Sequence, residues 1–183
     1  MKNFVETKKE ITDIIMKYRE GSELKHANGV LNWLLKIKPD ADEVMQIAAF
    51  AHDIERCVRQ GQKNPDLLFV GDPEKYKQAK REHAEYGARV LAEILKKHDV
   101  DEKGVARAVY LVENHEDGGD EEANIIRDAD SLSYFEDNFD GYLKECGVER
   151  AKRKVEYMFG RMSENGKKLG LELYNEALKK IKN

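Results

Sequence analysis

The histidines of this 183-residue sequence carry the clearest chemical information, because four of the five fall at inward-facing or terminal positions of different predicted helices. These four are His26, His52, His83 and His115. The fifth, His98, lies in the polar segment 96–99, which predicts a surface position. Imidazole is a preferred ligand of borderline divalent metals, and helical bundles build metal sites from ligands on several helices. The four histidines are therefore a candidate metal-ligating set.

The stretch AAFAHDIER, residues 48–56, places His52 and Asp53 side by side at the end of a run of small and apolar residues. A single histidine on an apolar face is more often a hydrogen-bonded core residue than a metal ligand. Burying an adjacent His and Asp without pairing or a metal, however, would cost several kcal/mol. The doublet thus favours one shared cation over four unrelated core histidines.

Asp130 is the candidate carboxylate ligand furthest along the chain. It follows Ala129 and lies four residues after Ile126, at the edge of the predicted buried face of its helix. An ordinary surface aspartate is the common alternative for such a position. Asp128 points more to the side, and we interpret it as orienting a ligand or pairing near Arg127.

Two basic residues share helix faces with the candidate ligands. Arg56 follows the doublet at spacings of three and four residues, and Lys80 precedes His83 by three. Both are candidates to bind phosphate, with an exposed cation on a helix flank as the alternative. Glu55 is a candidate proton shuttle, or else it accepts a hydrogen bond from a ligand or pairs with Arg59 at the i+4 spacing.

Apolar residues at helical spacing predict the elements that position these side chains. A first helix has Ile11, Ile14, Ile15 and Tyr18 inward and is ended by Gly21 and Ser22; a second has Leu24, Val30, Leu31, Leu34 and Leu35 inward and is stopped by Pro39. A third helix is capped by Asp40, and a loop from Gly61 to Pro73 separates it from a fourth that begins at about Glu74. The remaining helices are a fifth from Val105 to His115, a sixth from Glu121 to about Lys144, and a last from about Glu149 with a break near Gly166.

Composition bounds the class of protein. A chain of this length predicts one domain, and 37% charged residues with only 3 prolines favour an all-helical fold. The net charge of -4 argues against a nucleic-acid duplex or an anionic membrane as the main partner. Two isolated cysteines, Cys57 and Cys146, suit a reducing compartment, and we see neither a signal peptide nor a membrane-spanning run, so we expect a cytoplasmic protein.

The ordered set resembles the HD superfamily of metal-dependent phosphohydrolases. The matching contexts are AAFAHDIER around the doublet, HAEYGARVLAEIL at His83, VENHEDG at His115 and IIRDADSLSYF at Asp130. The resemblance covers about residues 20–140 and leaves the C-terminal helices, residues 149–181, to pack on that core. Glu55 and Arg56 follow the doublet where the family often has a glycine or an acidic pair, so no catalytic acidic pair is mapped.

The resemblance implies a single-domain helical bundle of the HD type. It further implies that His26, His52, Asp53 and Asp130 hold one metal, and that His83 and His115 add a second ion bridged by Asp53. We expect one or two divalent ions, drawn from Mn, Fe, Co, Ni, Mg and Zn. Asp53, Glu55 and Arg56 are then the candidate catalytic residues, and Arg56 and Lys80 the candidate substrate-binding ones.

The expected function is hydrolysis of a phosphoester of a nucleotide or small phosphorylated metabolite by metal-activated water. Two alternatives stay open. Relatives of the myo-inositol oxygenase type hold two irons with the same residue set and activate oxygen. A non-catalytic module that binds nucleotide for regulation would keep the site without turnover, and its C-terminal segment could then form a homodimer interface.

Overall fold

The structure, a computed structural model, describes residues 3–17, 22–59 and 73–182. Within these ranges every regular element is helical, so the predicted all-α single-domain fold is confirmed. In chain order the helices are α1 (Phe4–Met16), α2 (Ser22–Ile37), α3 (Glu43–Ala51), α4 (Glu55–Val58), α5 (Pro73–Lys97), α6 (Glu102–Glu113), α7 (Glu121–Ser133), a π-helical turn (Tyr134–Asn138), α8 (Phe139–Cys146), α9 (Val148–Gly160) and α10 (Glu164–Lys182).

The short helix α3 lies at the centre of the fold and packs against both α2 and α6. Six of its nine residues are buried, and the small side chains of Ala48, Ala49 and Ala51 let the neighbouring helices approach closely. Because α3 ends at Ala51, His52 and Asp53 lie immediately after the last buried turn of this helix.

A second apolar cluster lies under the C-terminal helices. Leu132, Phe139, Val155 and Met158 are buried members of this cluster. Trp33, on α2, packs against both this cluster and the larger one around α3, so the two regions form a continuous interior. Helices α9 and α10 thereby pack on the helices that carry the candidate ligands.

The cap predicted for the third helix is wrong. Asp42, not Asp40, precedes the first turn of α3, and its carboxylate accepts a hydrogen bond from the backbone N–H of Met45 at 3.0 Å. Asp40 instead accepts a hydrogen bond from Lys38 at 3.0 Å. Both aspartates suit a helix start chemically, and only the position at which helical backbone geometry begins distinguishes them.

Other predicted boundaries shift by a few residues. The predicted sixth helix continues through the π-helical turn into α8 and ends at Cys146, two residues beyond Lys144. The predicted fifth helix ends at Glu113, so His115 lies in the turn that follows. The predicted break near Gly166 lies at residues 161–163, because α10 begins at Glu164.

Some sequence predictions fall outside the described residues. Tyr18, Gly21 and the predicted loop from Gly61 as far as residue 72 belong to this group, whereas Pro73 is the first residue of α5. Among the described helices, none combines the length and the apolar character that crossing a bilayer requires.

Gly29 on α2 should tolerate no side chain. A Cβ atom at this position would lie closer than van der Waals contact to Ser133 Oγ and to the Asp137 carboxylate. We expect Gly29→Ala to lower the free energy of unfolding by about 1–3 kcal/mol, the usual cost of overpacking. Urea denaturation measures this change.

The matched control is Gly141→Ala on α8, where an added Cβ would meet no atom within 4 Å. Because alanine is the better helix former, this change should be neutral or stabilise the protein by up to about 1 kcal/mol. Equal shifts of the two denaturation midpoints would show that α2 and α7 are not closely packed at Gly29.

Candidate metal centre

The six predicted ligands come from five different parts of the chain and converge in the interior. His26 lies on α2, His83 on α5 and Asp130 on α7, whereas the doublet and His115 lie in the turns after α3 and α6. All four histidines and Asp130 are buried, and only 11% of the Asp53 side chain is exposed. The structure therefore brings every predicted ligand into one buried His/Asp cluster that could hold a metal ion.

One half of the cluster is formed by two histidines and the two aspartates. The Nε2 atoms of His26 and His52 lie 3.2 Å apart. Asp130 Oδ1 lies 3.1 Å from the first and 3.6 Å from the second, and Asp53 Oδ2 lies 3.9 and 3.7 Å from them. Two imidazole nitrogens and two carboxylate oxygens at these separations suit coordination of one cation.

The other half is formed by His83, His115 and the same Asp53. The Nε2 atoms of these histidines lie 2.8 and 3.8 Å from Asp53 Oδ1. Asp53 therefore directs one carboxylate oxygen to each half of the cluster. Asp53 is thus the residue that the two halves of the cluster share.

The outer nitrogen of each histidine ring has a defined partner. The Nδ1 partners are Ser133 Oγ for His26 (3.1 Å), the Ala49 carbonyl for His52 (2.8 Å), Glu55 Oε2 for His83 (2.8 Å) and the Val112 carbonyl for His115 (2.6 Å). Carbonyl and carboxylate oxygens only accept, so in those three pairs Nδ1–H is the donor. The Nε2 atoms then face the centre, where each would be a metal ligand once deprotonated; in the structure His83 Nε2 donates to Asp53 Oδ1 at 2.8 Å.

His115 provides a test of whether the cluster fits a cation. Its ring is fully buried, and its Nε2 atom has no hydrogen-bond partner among the described residues. Burial lowers the pKa of His115, which favours the neutral ring. This nitrogen lies 3.4 Å from Glu116 Oε1 and 3.8 Å from Asp53 Oδ1, and its ring is next to those of His52 and His83. A buried neutral nitrogen among carboxylates and other histidines has the chemistry of a metal ligand, so the residues present fit a divalent ion.

Two cations hold the aspartates in their charged form. Burial alone would raise the pKa of Asp53, but Arg56, with Nε 2.9 Å from Oδ2, holds it well below its usual range. Burial likewise would raise the pKa of Asp130, but the charge of Arg161 is the main cause that holds this pKa well below its usual range. Burial would also lower the pKa of His52, yet both aspartates raise it to about 9. The cluster thus presents two anionic carboxylates to a cation.

Arg161 and Glu116 are functional candidates that the sequence reasoning missed. The Arg161 guanidinium donates to Asp130 Oδ2, to Glu116 Oε2 at 2.6 Å and to Ser131 Oγ at 2.9 Å. Glu116 is buried and also forms an ion pair with Lys80. The only sequence signals are that Glu116 adjoins a candidate ligand and that Arg161 stands among the apolar residues of a helix end.

The remaining predicted residues are the two candidate phosphate-binding cations, Arg56 and Lys80, and the candidate proton shuttle, Glu55. Arg56 keeps 32% of its side chain exposed beside Asp53, and Lys80 is buried against Glu116. Glu55 is buried, accepts from His83 Nδ1 and lies 3.4 Å from Arg59 Nη1. Glu55 therefore has both contacts predicted as alternatives to a proton shuttle: it accepts a hydrogen bond from a candidate ligand and pairs with Arg59.

Asp128 has a role in the fold. Its carboxylate accepts hydrogen bonds from the backbone N–H of Ser163, at 2.9 Å, and from the Ser163 hydroxyl, just before α10 begins. It also lies 3.9 Å from Arg127 Nη2, near the predicted partner. Asp130, by contrast, is only 7% exposed, which is inconsistent with a surface position.

A cavity of about 350 Å³ opens onto the cluster. Its lining includes His26, Asp53, Asp130, Arg56, Lys80 and Arg161. The C-terminal half of the chain contributes Tyr134, Tyr142, Lys154 and Met158. The volume is at the small end of the range for ligand sites, roughly 300–1,000 Å³.

Metal binding should depend on His52 and not on His98. After treatment with chelator, the protein should take up Mn, Co, Ni, Zn or Fe(II), as measured by calorimetry and elemental analysis. For His52→Ala the loss of affinity should exceed the roughly 10- to 100-fold caused by removing an outer hydrogen-bond partner. His98→Ala is the control, because His98 contacts Glu10 at 2.8 Å, away from the cluster. Equal metal uptake by the two variants would contradict the assignment.

Arg161 should be essential for stability because its partners are buried. Arg161→Met would leave Glu116 with Lys80 and His115 and would remove the guanidinium from Asp130. We expect a loss of about 3–5 kcal/mol in the free energy of unfolding of the chelated protein. Adding Glu116→Gln should recover part of this loss, since one buried charge is then removed. If Arg161→Met lowered the free energy of unfolding by less than about 0.5 kcal/mol, as a typical surface substitution does, the pairing of Arg161 with Glu116 and Asp130 would be refuted.

Comparison with known proteins gives one match. Neither the curated proteins nor the solved structures include a significant match to this chain. The sequence profile of a family described as a domain of unknown function, DUF4202, matches residues 6–181, which include every residue of the candidate centre. The chain therefore belongs to the DUF4202 family.

Proposed function

We propose that this protein is a metal-dependent phosphohydrolase of the HD type, acting on a nucleotide or another small phosphorylated metabolite. The observation that supports it best is a single carboxylate, Asp53, which is shared by two histidine pairs and lines a cavity together with the cationic side chains of Arg56 and Lys80. The chain order of the ligands, His, His-Asp, His, His, Asp, matches the HD resemblance, and the all-helical fold agrees with it.

The residues that would hold the metal are defined by the two halves of the cluster. His26, His52, Asp53 and Asp130 would hold one ion, and Asp53, His83 and His115 a second. When bound, a divalent ion supplies Lewis acidity and lowers the pKa of a water molecule that it binds, from about 15.7 towards about 7. Glu55 and Ser133 fix the ring orientations of His83 and His26 through their Nδ1 atoms.

Arg56 is the best-placed residue to bind the scissile phosphate. Its Nε donates to Asp53, 32% of its side chain is exposed and it lines the cavity, a position from which a guanidinium could bind a phosphoryl oxygen. Arg161 and Lys80 also line the cavity, where they keep Asp130 and Glu116 anionic and fixed in position. The site therefore combines two anchored carboxylates with positive charge directed at an anionic substrate.

The direct test is a phosphoester screen on chelated protein with Mn, Co, Ni, Mg, Fe and Zn added in parallel. We expect phosphate release only when a metal is present. Asp53→Asn, which removes the shared charge while keeping the side-chain shape, should lower kcat/KM by at least about a hundredfold, in line with the loss of an electrostatic contribution at a reacting centre. His98→Gln should leave the rate unchanged. Hydrolysis that persists in chelator would refute the proposal.

The shared Asp53 also supports a second candidate, a di-iron oxygenase, since the same set can hold two irons. Oxygen uptake by the Fe(II)-loaded protein, without phosphate release, would favour this function. Tight nucleotide binding without product across the whole panel would instead indicate the regulatory module.

A further inference from the structure

We propose that the esterified part of the substrate is a hydroxyl-bearing sugar ring, bound by one polar face of the π-helical turn and α8. This inference rests on the proposed phosphohydrolase function, because it assigns the class of substrate for the same site. The same chemistry is found in free sugar phosphates and in the ribose of nucleotides, and the choice of substrates in the experiment distinguishes these two sources.

The polar face consists of six residues of the π-helical turn and α8 that line the cavity. Their positions follow the spacing i, i+3, i+4, i+7, i+8 and i+11, which places side chains on one side of a helix. They are Tyr134, Asp137, Asn138, Gly141, Tyr142 and Glu145. A helix face that is turned towards the interior is normally apolar, whereas this face carries hydrogen-bonding groups. It therefore indicates a polar occupant of the cavity.

The polar face begins one helical turn after the candidate ligand Asp130. Between them lies Ser133, whose Oγ is 3.1 Å from His26 Nδ1 and 3.4 Å from Asp137 Oδ2. The π-helical turn Tyr134–Asn138 follows Ser133 directly. Such turns are rare and frequently occur at functional sites. A substrate whose phosphate meets the cluster would therefore extend along this face.

Gly141 is the position at which the polar face leaves space. An added Cβ would meet no atom within 4 Å, so packing does not require glycine here, in contrast to Gly29. Gly141 also lies within α8, where glycine is about 1 kcal/mol less favourable than alanine. Neither packing nor helix propensity explains a glycine at this position, whereas the close approach of a ligand to the backbone does.

The polar groups of this face suit hydroxyls better than a second anion. Asn138 is half-buried and makes no capping hydrogen bond to α8, and its amide both donates and accepts. Asp137, which pairs with Lys25 at 3.1 Å, and Glu145 carry carboxylates that accept hydrogen bonds from hydroxyls. The face itself contains no lysine or arginine, so it would disfavour a further negative charge. Its chemistry therefore matches an uncharged group that bears hydroxyls.

Tyr142 adds an aromatic surface to these polar groups. Its ring packs edge to face on that of Tyr134, which is buried, with 6.1 Å between the ring centroids. Met158, which is also buried, lines the same cavity. A sugar ring has C–H groups on its faces and hydroxyls at its edge, so it is complementary to an aromatic ring beside an amide and carboxylates.

The test compares phosphoesters that share the phosphate and differ in the esterified group. Ribose 5-phosphate is compared with cyclopentylmethyl phosphate, which has a ring of the same size without hydroxyls. Uridine 5′-monophosphate adds a base to the sugar, and methyl phosphate reaches only the cluster. The protein is loaded in turn with the six metals of the phosphoester screen. Phosphate release gives kcat and KM, and calorimetry gives Kd for any ester that is not turned over.

Two variants change the polar face without touching the cluster. Gly141→Leu fills the space beside the face, and Asn138→Ala removes the amide. Lys144→Leu is the control, because it introduces the same side chain at an exposed position of α8 that is not part of the lining. Metal content and the thermal unfolding midpoint are measured for each variant, and we expect both to stay at the wild-type values.

We expect the wild-type protein to bind ribose 5-phosphate about tenfold more tightly than cyclopentylmethyl phosphate, since each neutral hydrogen bond contributes a factor of about 2–10. Gly141→Leu should weaken the binding of ribose 5-phosphate at least about tenfold and leave methyl phosphate unaffected, because leucine occupies the space of the sugar. Asn138→Ala should reduce the preference for the hydroxylated ring by about 2- to 10-fold. Tighter binding of uridine 5′-monophosphate than of ribose 5-phosphate indicates a nucleotide, and equal or weaker binding a free sugar phosphate.

Equal binding of the two ring esters would overturn the inference, as would an equal loss for methyl phosphate and ribose 5-phosphate in Gly141→Leu. Phosphate release without any preference for the hydroxylated ring would leave the phosphohydrolase proposal standing and reject only the sugar-binding face. Preferential binding that depends on Gly141 and Asn138, without phosphate release for any metal, would support the sugar-binding face and reject hydrolysis as the function.

Discussion

The negative charge of Asp53 in the interior is the constraint on which the rest of the centre depends. Removing an ion from water costs several kcal/mol even after the protein relaxes, and this cost is offset only by well-placed opposite charge. Arg56 supplies part of it from the same turn of chain, and the four inward-facing Nε2 atoms create a position where a divalent cation would supply the rest. Helices α2, α5, α6 and α7 must therefore meet at the end of α3.

The C-terminal helices complete the electrostatics of the centre. Arg161, in the turn between α9 and α10, donates hydrogen bonds to both Asp130 and Glu116. Asp128, which lies on α7 two residues before Asp130, accepts a hydrogen bond from Ser163 and so holds the start of α10 in place. The family match agrees with this dependence, since it extends to residue 181 and not only over the ligand-bearing helices. A chain that ended after α8 would leave Asp130 buried beside a histidine pair without its guanidinium partner.

The sequence identified the histidines and aspartates that converge in the interior, but not the residues that support them, for a physical reason. Burial of adjacent ionisable residues is costly enough to reveal His52 and Asp53 without any knowledge of their neighbours, and helical periodicity places Asp130 beside a buried face. The value of Arg161 depends on contacts with residues 31 and 45 positions away, which no local pattern encodes. The misassigned cap at Asp40 has a similar origin, because the packing of α3 decides which aspartate starts the helix.

The cavity lining helps to distinguish functions that the ligands alone do not. A histidine-rich set with a shared carboxylate suits either two irons that activate oxygen or two cations that act on a phosphoester. Oxygen is neutral, so its activation requires no cationic side chains at the cavity. Arg56 faces the cavity from the doublet with 32% of its side chain exposed, and Lys80 lies in the lining, where it is ion-paired with Glu116. Cationic side chains at the cavity suit an anionic substrate, and this is the reason for proposing hydrolysis rather than oxygenation.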